Sequence, residues 1–280
     1  MDNAIIVGFL AETELHPGAG QGLGTIDQPV QREGGSKFPV VPGTSYKGTA
    51  KSELLDASAD TQLKRIFGEA GSTGTSAGTV AFGDIRLLLL PMRCSGSAYK
   101  WVTTPLLLER FERDARRAKL LNVNSLAVAS PPADQVFTAG DSRLYIEEFQ
   151  FSVKPLPANI TEIARCIGNL LPADHPYDRL KQRLASQLLI MNDDDFAWFC
   201  EYGLPVRPHN ALDENKASEN FWYEEYLPAD TVMYALNTAR SSNSGDLNRY
   251  STELASRKWL QLGGNETTGE GVCRIQVWKS

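Results

Sequence analysis

Residues 16–33 read His16-Pro17-Gly18-Ala19-Gly20-Gln21-Gly22-Leu23-Gly24-Thr25-Ile26-Asp27-Gln28-Pro29-Val30-Gln31-Arg32-Glu33, with glycine on four alternate positions and an aspartate five residues before the first arginine of the chain. Glycine has no Cβ, so a run at this density reads as a loop with free access to positive φ and exposed backbone N–H groups. Such a main chain can press closely against a large anion. A plain connector after a strand is the alternative. Upstream, Ile5, Val7, Phe9 and Ala11 alternate with residues such as Gly8 and Glu12, which predicts a first strand running into the loop.

Downstream comes Phe38-Pro39-Val40-Val41-Pro42-Gly43-Thr44-Ser45-Tyr46-Lys47-Gly48-Thr49-Ala50-Lys51. Pro42-Gly43 ends an extended run, and Thr44 or Ser45 is a good N-cap for a helix running to about residue 58. Tyr46, Ala50 and Leu54 form its buried stripe, while Lys47 and Lys51 share a different face. A lysine in the first helical turn opposes the macrodipole. It makes sense where the free N–H groups and the ammonium together hold an anion, most often a phosphate. A merely solvated lysine is the alternative.

A net charge of −6 over 280 residues argues against a general polyanion-binding surface. Any nucleic-acid site must then be a local groove of backbone N–H groups and a few placed lysines, with the acidic remainder facing basic partner proteins. The 42% hydrophobic and 22% charged fractions suit a globular protein with a substantial core. Cys94, Cys166, Cys200 and Cys273 form no CxxC pair, which argues against a zinc or disulfide framework and suits buried thiols in a reducing cytoplasm. His16, His175 and His209 show no metal-ligand spacing. The apolar runs at 4–11 and 87–91 are too short to span a bilayer, and no signal peptide is legible before the first strand.

After the helix from Ser45 come a Gly/Ser/Thr-rich loop at 68–78 and a strand at 80–90, an order that begins a ferredoxin-like unit. A second half closes the chain. Leu247, Tyr250 and Leu254 mark a helix, and residues 259–262 and 272–278 are strands around a loop at 263–271. The expected fold is mixed α/β (α+β), one domain over 1–280. Its ferredoxin-like, RRM-like core comes from about 1–91 and 241–280, with about 92–240 as insertions on the sheet edges. Within these, Phe111 and Ala115 face inward on a helix whose Arg110, Arg113, Arg116, Arg117 and Lys119 interleave with Glu109, Glu112 and Asp114, a solvated face. Leu180, Leu184 and Leu188 place a helix over 177–191, and Asp193 to Asp195 cap another over 196–202. Residues 206–217 followed by Phe221-Trp222-Tyr223 suggest two extended arms around a polar tip.

The run from His16 through Lys51 resembles the RAMP superfamily of CRISPR proteins. Four further segments are similar to one group within it, the repeated backbone subunit of the type III-B (RAMP module) effector complex. They are Gly83-Asp84-Ile85-Arg86-Leu87-Leu88, the stretch from Trp101 to Asp114, Tyr223-Glu224-Glu225-Tyr226-Leu227-Pro228, and Gly263-Gly264-Asn265-Glu266-Thr267-Thr268-Gly269-Glu270-Gly271. They occur in family order across nearly the whole chain. Glu270 departs from the pattern, since such loops often carry a basic or neutral residue there.

The resemblance implies a subunit that binds guide CRISPR RNA, lines up with copies of itself in a helical filament, joins other subunits of the effector complex and cleaves complementary single-stranded target RNA. It implies that the hairpin around residues 206–223 is a thumb reaching across the guide, with Arg207 and His209 belonging to it. Asp27 falls where the family carries its catalytic aspartate, as base for an RNA 2′-hydroxyl or as ligand of a divalent ion, Mg or Mn. His16 and Glu225 or Glu224 are its candidate helpers. RNA contacts are expected from Gly22, Gly24, Ser45, Lys47, Gly48, Lys51, Arg207, Gly263, Gly264, Thr267 and Gly269; no organic cofactor and no membrane partner are expected. Taken without the resemblance, Asp27 reads as an Asx-turn residue before Gln28-Pro29. Two other functions stay open: a non-catalytic scaffold polymerised on guide RNA, and a stand-alone ribonuclease that processes CRISPR transcripts.

Overall fold

The structure, a computed structural model, describes residues 3–22, 24–55, 60–71, 74–121, 125–240 and 245–279. The run Ala4-Ile5-Ile6-Val7 with Phe9-Leu10 is apolar on both strand faces, and β1 (Ala4–Ala11) is accordingly buried at every residue. In chain order there follow α1 (Gly43–Leu55), β2 (Ile85–Cys94), β3 (Ser97–Thr103), α2 (Pro105–Arg117), β4 (Leu188–Ile190), α3 (Asp193–Tyr202), β5 (Val206–Leu212), β6 (Ser218–Glu225), β7 (Val232–Ala239), α4 (Gly245–Arg257) and β8 (Val272–Trp278), with shorter elements between. β1 lies between β8 and β7, antiparallel to both, and β7 pairs antiparallel with β2, giving the order β8-β1-β7-β2. From β2 the sheet continues through β3 and β4 into the strands Gln135–Thr138, Phe149–Lys154 and Arg143–Ile146. Cys94 of β2 then pairs with Ile146, so this half curls back on itself. The fold is mixed α/β, with helices packed on a barrel-like sheet.

One face of β1 and β7 packs under α1 and α4. Phe9 meets Tyr46 edge-on at 5.2 Å, the Tyr46 and Tyr250 hydroxyls lie 2.7 Å apart, and Asn237 Nδ2 donates to the Tyr46 oxygen at 3.0 Å. Burial pushes the Tyr46 hydroxyl up to about 12, so the group is neutral at physiological pH. The other face receives α2, whose Phe111 ring lies 5.2 Å from Tyr234, and the chain after the helix Ile160–Gly168. There Leu170 crosses β1 so closely that a Cβ on Gly8 would stand 2.2 Å from the Leu170 carbonyl oxygen.

α1 starts at Gly43 because the Asp84 carboxylate, and neither Thr44 nor Ser45, takes its first N–H, at 2.7 Å. Its expected end near residue 58 lies outside the described residues. Asp84 also explains why the strand expected at 80–90 breaks into Val80–Phe82 and β2, both paired with β7. Loop 68–78 contains a small antiparallel hairpin of Gly68–Gly71 with Gly74–Ala77. The helix expected over 177–191 is Asp178–Gln187. Leu188-Leu189-Ile190 is instead the fully buried β4, held between β3 and Gln135–Thr138, and strand pairing outweighs the helical leucine spacing. α3 begins at Asp193 with Asn192 as its cap, accepting the Asp195 N–H at 2.8 Å. The stretch 92–240, expected as edge insertions, supplies β7, the direct neighbour of β1. On α2 the basic residues behave as a solvated face, with Arg113 on Glu109, Arg116 on Glu112 and Arg110 on Glu33. No described helix is long and apolar enough to cross a membrane.

Gly8→Ala should lower the unfolding free energy by about 1–3 kcal/mol, the usual cost of overpacking a filled core. Urea denaturation should show a lower midpoint at unchanged m-value.

Candidate nucleic-acid interface

β5 and β6 form an antiparallel hairpin in register from Val206 opposite Glu225 to Asn210 opposite Phe221. Its polar tip closes locally, the Asp213 carboxylate accepting the N–H groups of Asn215 and Ala217 at 2.8 Å each. The glycine loop is laced along the edge of β6. Gln28 N–H donates to Tyr223 O, and Glu225 N–H donates to Gln28 O, each at 3.0 Å. Just before the first of these along β6, the Tyr223 N–H is taken by Asp27, whose Oδ2 accepts it at 2.8 Å. Gly22 N–H closes the loop on the Asp27 carbonyl at 2.8 Å. Asp27 is exposed and lines an open pocket of about 380 Å³ together with Gln21, Gly22, Gln28, Asn220, Phe221 and Trp222. Its anchor is thus a long-range backbone donor rather than a local Asx turn.

Glu225 does not stand beside Asp27 as a helper. Its carboxylate is buried, takes Arg32 in a two-pronged pair at 2.6 and 2.8 Å and accepts the Val30 N–H at 3.0 Å. His16 is buried too, with Nδ1 2.7 Å from the Glu225 carbonyl oxygen and its ring tilted against Tyr226. The side chain that sequence reading weighed only as an alternative, Glu224, is the centre of a polar cluster. It accepts the Trp222 indole N–H at 2.5 Å, the Tyr226 hydroxyl at 2.7 Å and the Asn265 amide at 2.6 Å. Because the Tyr226 proton goes to Glu224, His209, 2.8 Å from that hydroxyl through Nε2, must be the donor to it. Burial pushes the Glu224 carboxyl upward, but the three donors and His209 outweigh it and hold the group below the usual carboxylate range. Tyr226 is pushed well above an ordinary tyrosine by burial and by Glu224, so it keeps its proton.

Asn265 reaches this cluster from the C-terminal loop, where it adopts a left-handed φ of 61°. An Asn after Gly-Gly is the one signal that marked it, since Asn tolerates that conformation better than most residues. The same loop closes on the start of the glycine loop. Gly264 N–H donates to His16 O at 3.0 Å, Gly271 N–H to Glu14 O at 2.7 Å, and a Cβ on Gly263 would lie 2.3 Å from His16 O. Thr267 and Gly269 are exposed, as is Gly24 on the first loop. Arg207 is not a free cation: it pairs with Glu14 at 2.7 Å and lies over the Tyr226 ring.

On α1, Asp84 occupies the Gly43 N–H and the Pro42 carbonyl takes that of Tyr46 at 3.0 Å. What remains outward is a face of Ser45, Lys47, Gly48 and Lys51. Among the described residues neither lysine has an ion-pair partner, and no hydrogen bond or ion pair joins this face to the Asp27 pocket. Among the described residues, too, no three His, Cys, Asp or Glu side chains converge as a metal cage.

A model of the RAMP superfamily matches residues 9–274 of the chain. The CRISPR system Cmr endoribonuclease Cmr4 of Pyrococcus furiosus is 30% identical over 292 residues, covering 98% of this chain and 95% of that protein. The CMR subunit Cmr4 of Saccharolobus solfataricus is 23% identical, covering 95% and 94%. In three dimensions the chain is similar to the crystal structure of oligomeric Cmr4 from Pyrococcus furiosus, with a TM-score of 0.78 at 26% identity over 100% of this chain and 99% of that one. It shares its fold with a chain of the type III-B Cmr-beta complex bound to cognate target RNA, with a TM-score of 0.73 at 20% identity over 98% and 96%.

A carboxyl depressed in the folded state stabilises the fold above its unfolded value of ~4.3 and loses that contribution as pH falls through the lower folded value. Acid titration of stability should therefore show a fall below about pH 4 that Glu224→Gln flattens, read by denaturant midpoint at each pH. Glu225→Gln should cost about 3–5 kcal/mol at neutral pH, because it leaves the Arg32 guanidinium buried without its counter-charge.

Proposed function

Because the chain belongs to the RAMP superfamily, we propose that it is the repeated backbone subunit of a type III-B CRISPR effector complex, an endoribonuclease that holds guide CRISPR RNA and cuts complementary single-stranded target RNA. The fold reading that goes with it is a single RAMP domain with a ferredoxin-like, RRM-like core. β1, α1, β2, β7, α4 and β8 supply it in chain order, with β8-β1-β7-β2 across the sheet. The β5–β6 hairpin is its thumb. Copies line up as a helical filament along the guide in the cytoplasm, together with the other subunits of the complex. Base pairing with the guide, and not this chain, selects the target.

One observation carries the cleavage reading: the exposed carboxylate of Asp27, on the wall of an open pocket, is held in orientation by the backbone of β6. RNA brings its own nucleophile, the 2′-hydroxyl next to the scissile phosphate. Asp27 takes that proton through the carboxylate oxygen that Tyr223 leaves free. The 2′-oxygen attacks the phosphorus, and the 5′-oxygen departs and is protonated from solvent. The products are a 2′,3′-cyclic phosphate and a 5′-hydroxyl. Asp27 would be the protein ligand of a divalent ion such as Mg or Mn, which when bound would supply neutralisation of phosphate charge. The guide backbone runs over the outward face of α1, where Lys47 and Lys51 and the exposed main chain at Ser45 and Gly48 meet phosphate. The exposed Gly24, Thr267 and Gly269 border the same groove, while Gly22, Gly263 and Gly264 shape its loops.

Asp27→Asn keeps the shape and loses the proton acceptor. In the assembled complex it should bind target normally and cut roughly 10²–10⁴-fold more slowly, the usual cost of removing a general base. Cutting at the parental rate would make the subunit a scaffold. Lys47→Ala should weaken guide binding and reduce the slope of log K against log salt by about 0.7–0.9, one phosphate contact. A sizing column run with and without guide RNA should show assembly only with it; a monomer that cuts alone would be a processing ribonuclease instead.

A further inference from the structure

Among the described residues Lys100, on β3, is the one buried lysine, only 9% exposed. Its ammonium donates to the carbonyl oxygens of Ala139 and Ser186, each at 3.0 Å. Ser186 lies in the last turn of the helix Asp178–Gln187, whose C-terminal dipole offers partial negative charge. Two of the three N–H donors are thus satisfied by neutral groups, and among the described residues no carboxylate forms an ion pair with this lysine. A buried charge is ordinarily matched by an opposite one. Burial holds this ammonium below the usual lysine value.

Lys100 lines an open pocket of about 310 Å³ together with Ser95, Ser97, Gly140, Asp141 and Arg143. The pocket shares no lining residue with the one at Asp27. Arg143 is exposed and, among the described residues, has no ion-pair partner. The Ser97 hydroxyl donates to Tyr99 O at 3.2 Å, whereas Ser95 Oγ only accepts, from the Tyr145 N–H at 3.0 Å, so its own proton is free for a ligand. Asp141, also exposed, is the single carboxylate of the lining. Two cations and a hydroxyl donor from three separate segments suit a tetrahedral oxyanion. A carboxylate beside them suits one that still carries a proton, because it accepts a hydrogen bond from P–OH and repels an anion that has none.

We propose that this pocket binds hydrogen phosphate, with Lys100 and Arg143 as the cations that hold it, Ser95 as a further donor and Asp141 as the acceptor of its proton. Sulfate has the same shape and charge but no proton at neutral pH, so Asp141 makes the site selective for phosphate. The site stands independently of the ribonuclease reading.

Phosphorus NMR of inorganic phosphate with the full chain, at neutral pH and constant ionic strength, tests it. The phosphate line broadens saturably, and sulfate competes far more weakly than phosphate itself. Arg143→Ala, an exposed change that leaves the fold intact, weakens binding roughly 10- to 100-fold, the equivalent of one charge-assisted hydrogen bond. Lys100→Met keeps the apolar stem and abolishes the broadening. Asp141→Asn lets sulfate compete as well as phosphate. Parental broadening with Arg143→Ala overturns the proposal and leaves Lys100 as a cap of the helix Asp178–Gln187 only. Equal competition by sulfate in the parent, tighter binding of adenosine 5′-monophosphate than of phosphate, or loss of the broadening through Lys47→Ala alone, which would put the anion on α1, overturns it as well.

Discussion

Arg32 uses all five of its N–H donors: two on the Glu225 carboxylate, two on the Cys200 carbonyl and one on the Val30 carbonyl. The glycine loop, the root of the hairpin and the end of α3 thus share one guanidinium. Two buried charges lose their hydration, and that loss is offset only when every donor and lone pair finds a partner in good geometry. A slip of the loop by one residue along β6 would leave the cation short of acceptors. The register that satisfies Arg32 is also the one that sets Asp27 against the Tyr223 N–H, so the Asp27 carboxylate inherits its position from a charge pair it does not touch.

The same economy of placement runs through the rest of the interface. Glu224 gathers Trp222 from its own strand, Tyr226 from the strand's exit and Asn265 from the C-terminal loop. The C-terminal loop therefore meets the hairpin root through a side chain, and meets the start of the glycine loop through main chain where Gly264 and Gly271 bond to His16 and Glu14. Most of the charges near the site are spent on these joints. Under the proposed function, that is how a chain of net charge −6 holds a nucleic acid. The surface proposed for it consists of backbone and one helical face, not of a basic field.

Features governed by neighbouring residues were legible in the sequence: the glycine loop, the Tyr46/Ala50/Leu54 stripe, the interleaved charges of α2, and the arms of the hairpin. Those governed by distant partners were not. Leu188 continues a helical leucine spacing, and only its burial between two strands makes it β4. β7 has no local mark of its place beside β1, and the cap of α1 sits 41 residues away on Asp84. Asp27 illustrates both halves. Its position after the loop drew notice through the family resemblance, but the donor that orients it is 196 residues further along the chain. Glu225 misled for the converse reason, since adjacency to Glu224 in sequence puts the two carboxylates on opposite faces of a strand.

The curl of the large sheet bears on how copies of this chain can be arrayed. At one end Cys94 pairs with Ile146 and the strands close on themselves; at the other the terminal strand, Trp259–Gln261, is three residues long and flanked by α1. Little unpaired ladder is left to template another chain, and open ladders are the usual route to unlimited protein-only growth. In the proposed filament, then, subunits have no continuous sheet by which to count or prolong themselves. In that reading the length of the array falls to the nucleic acid that threads it.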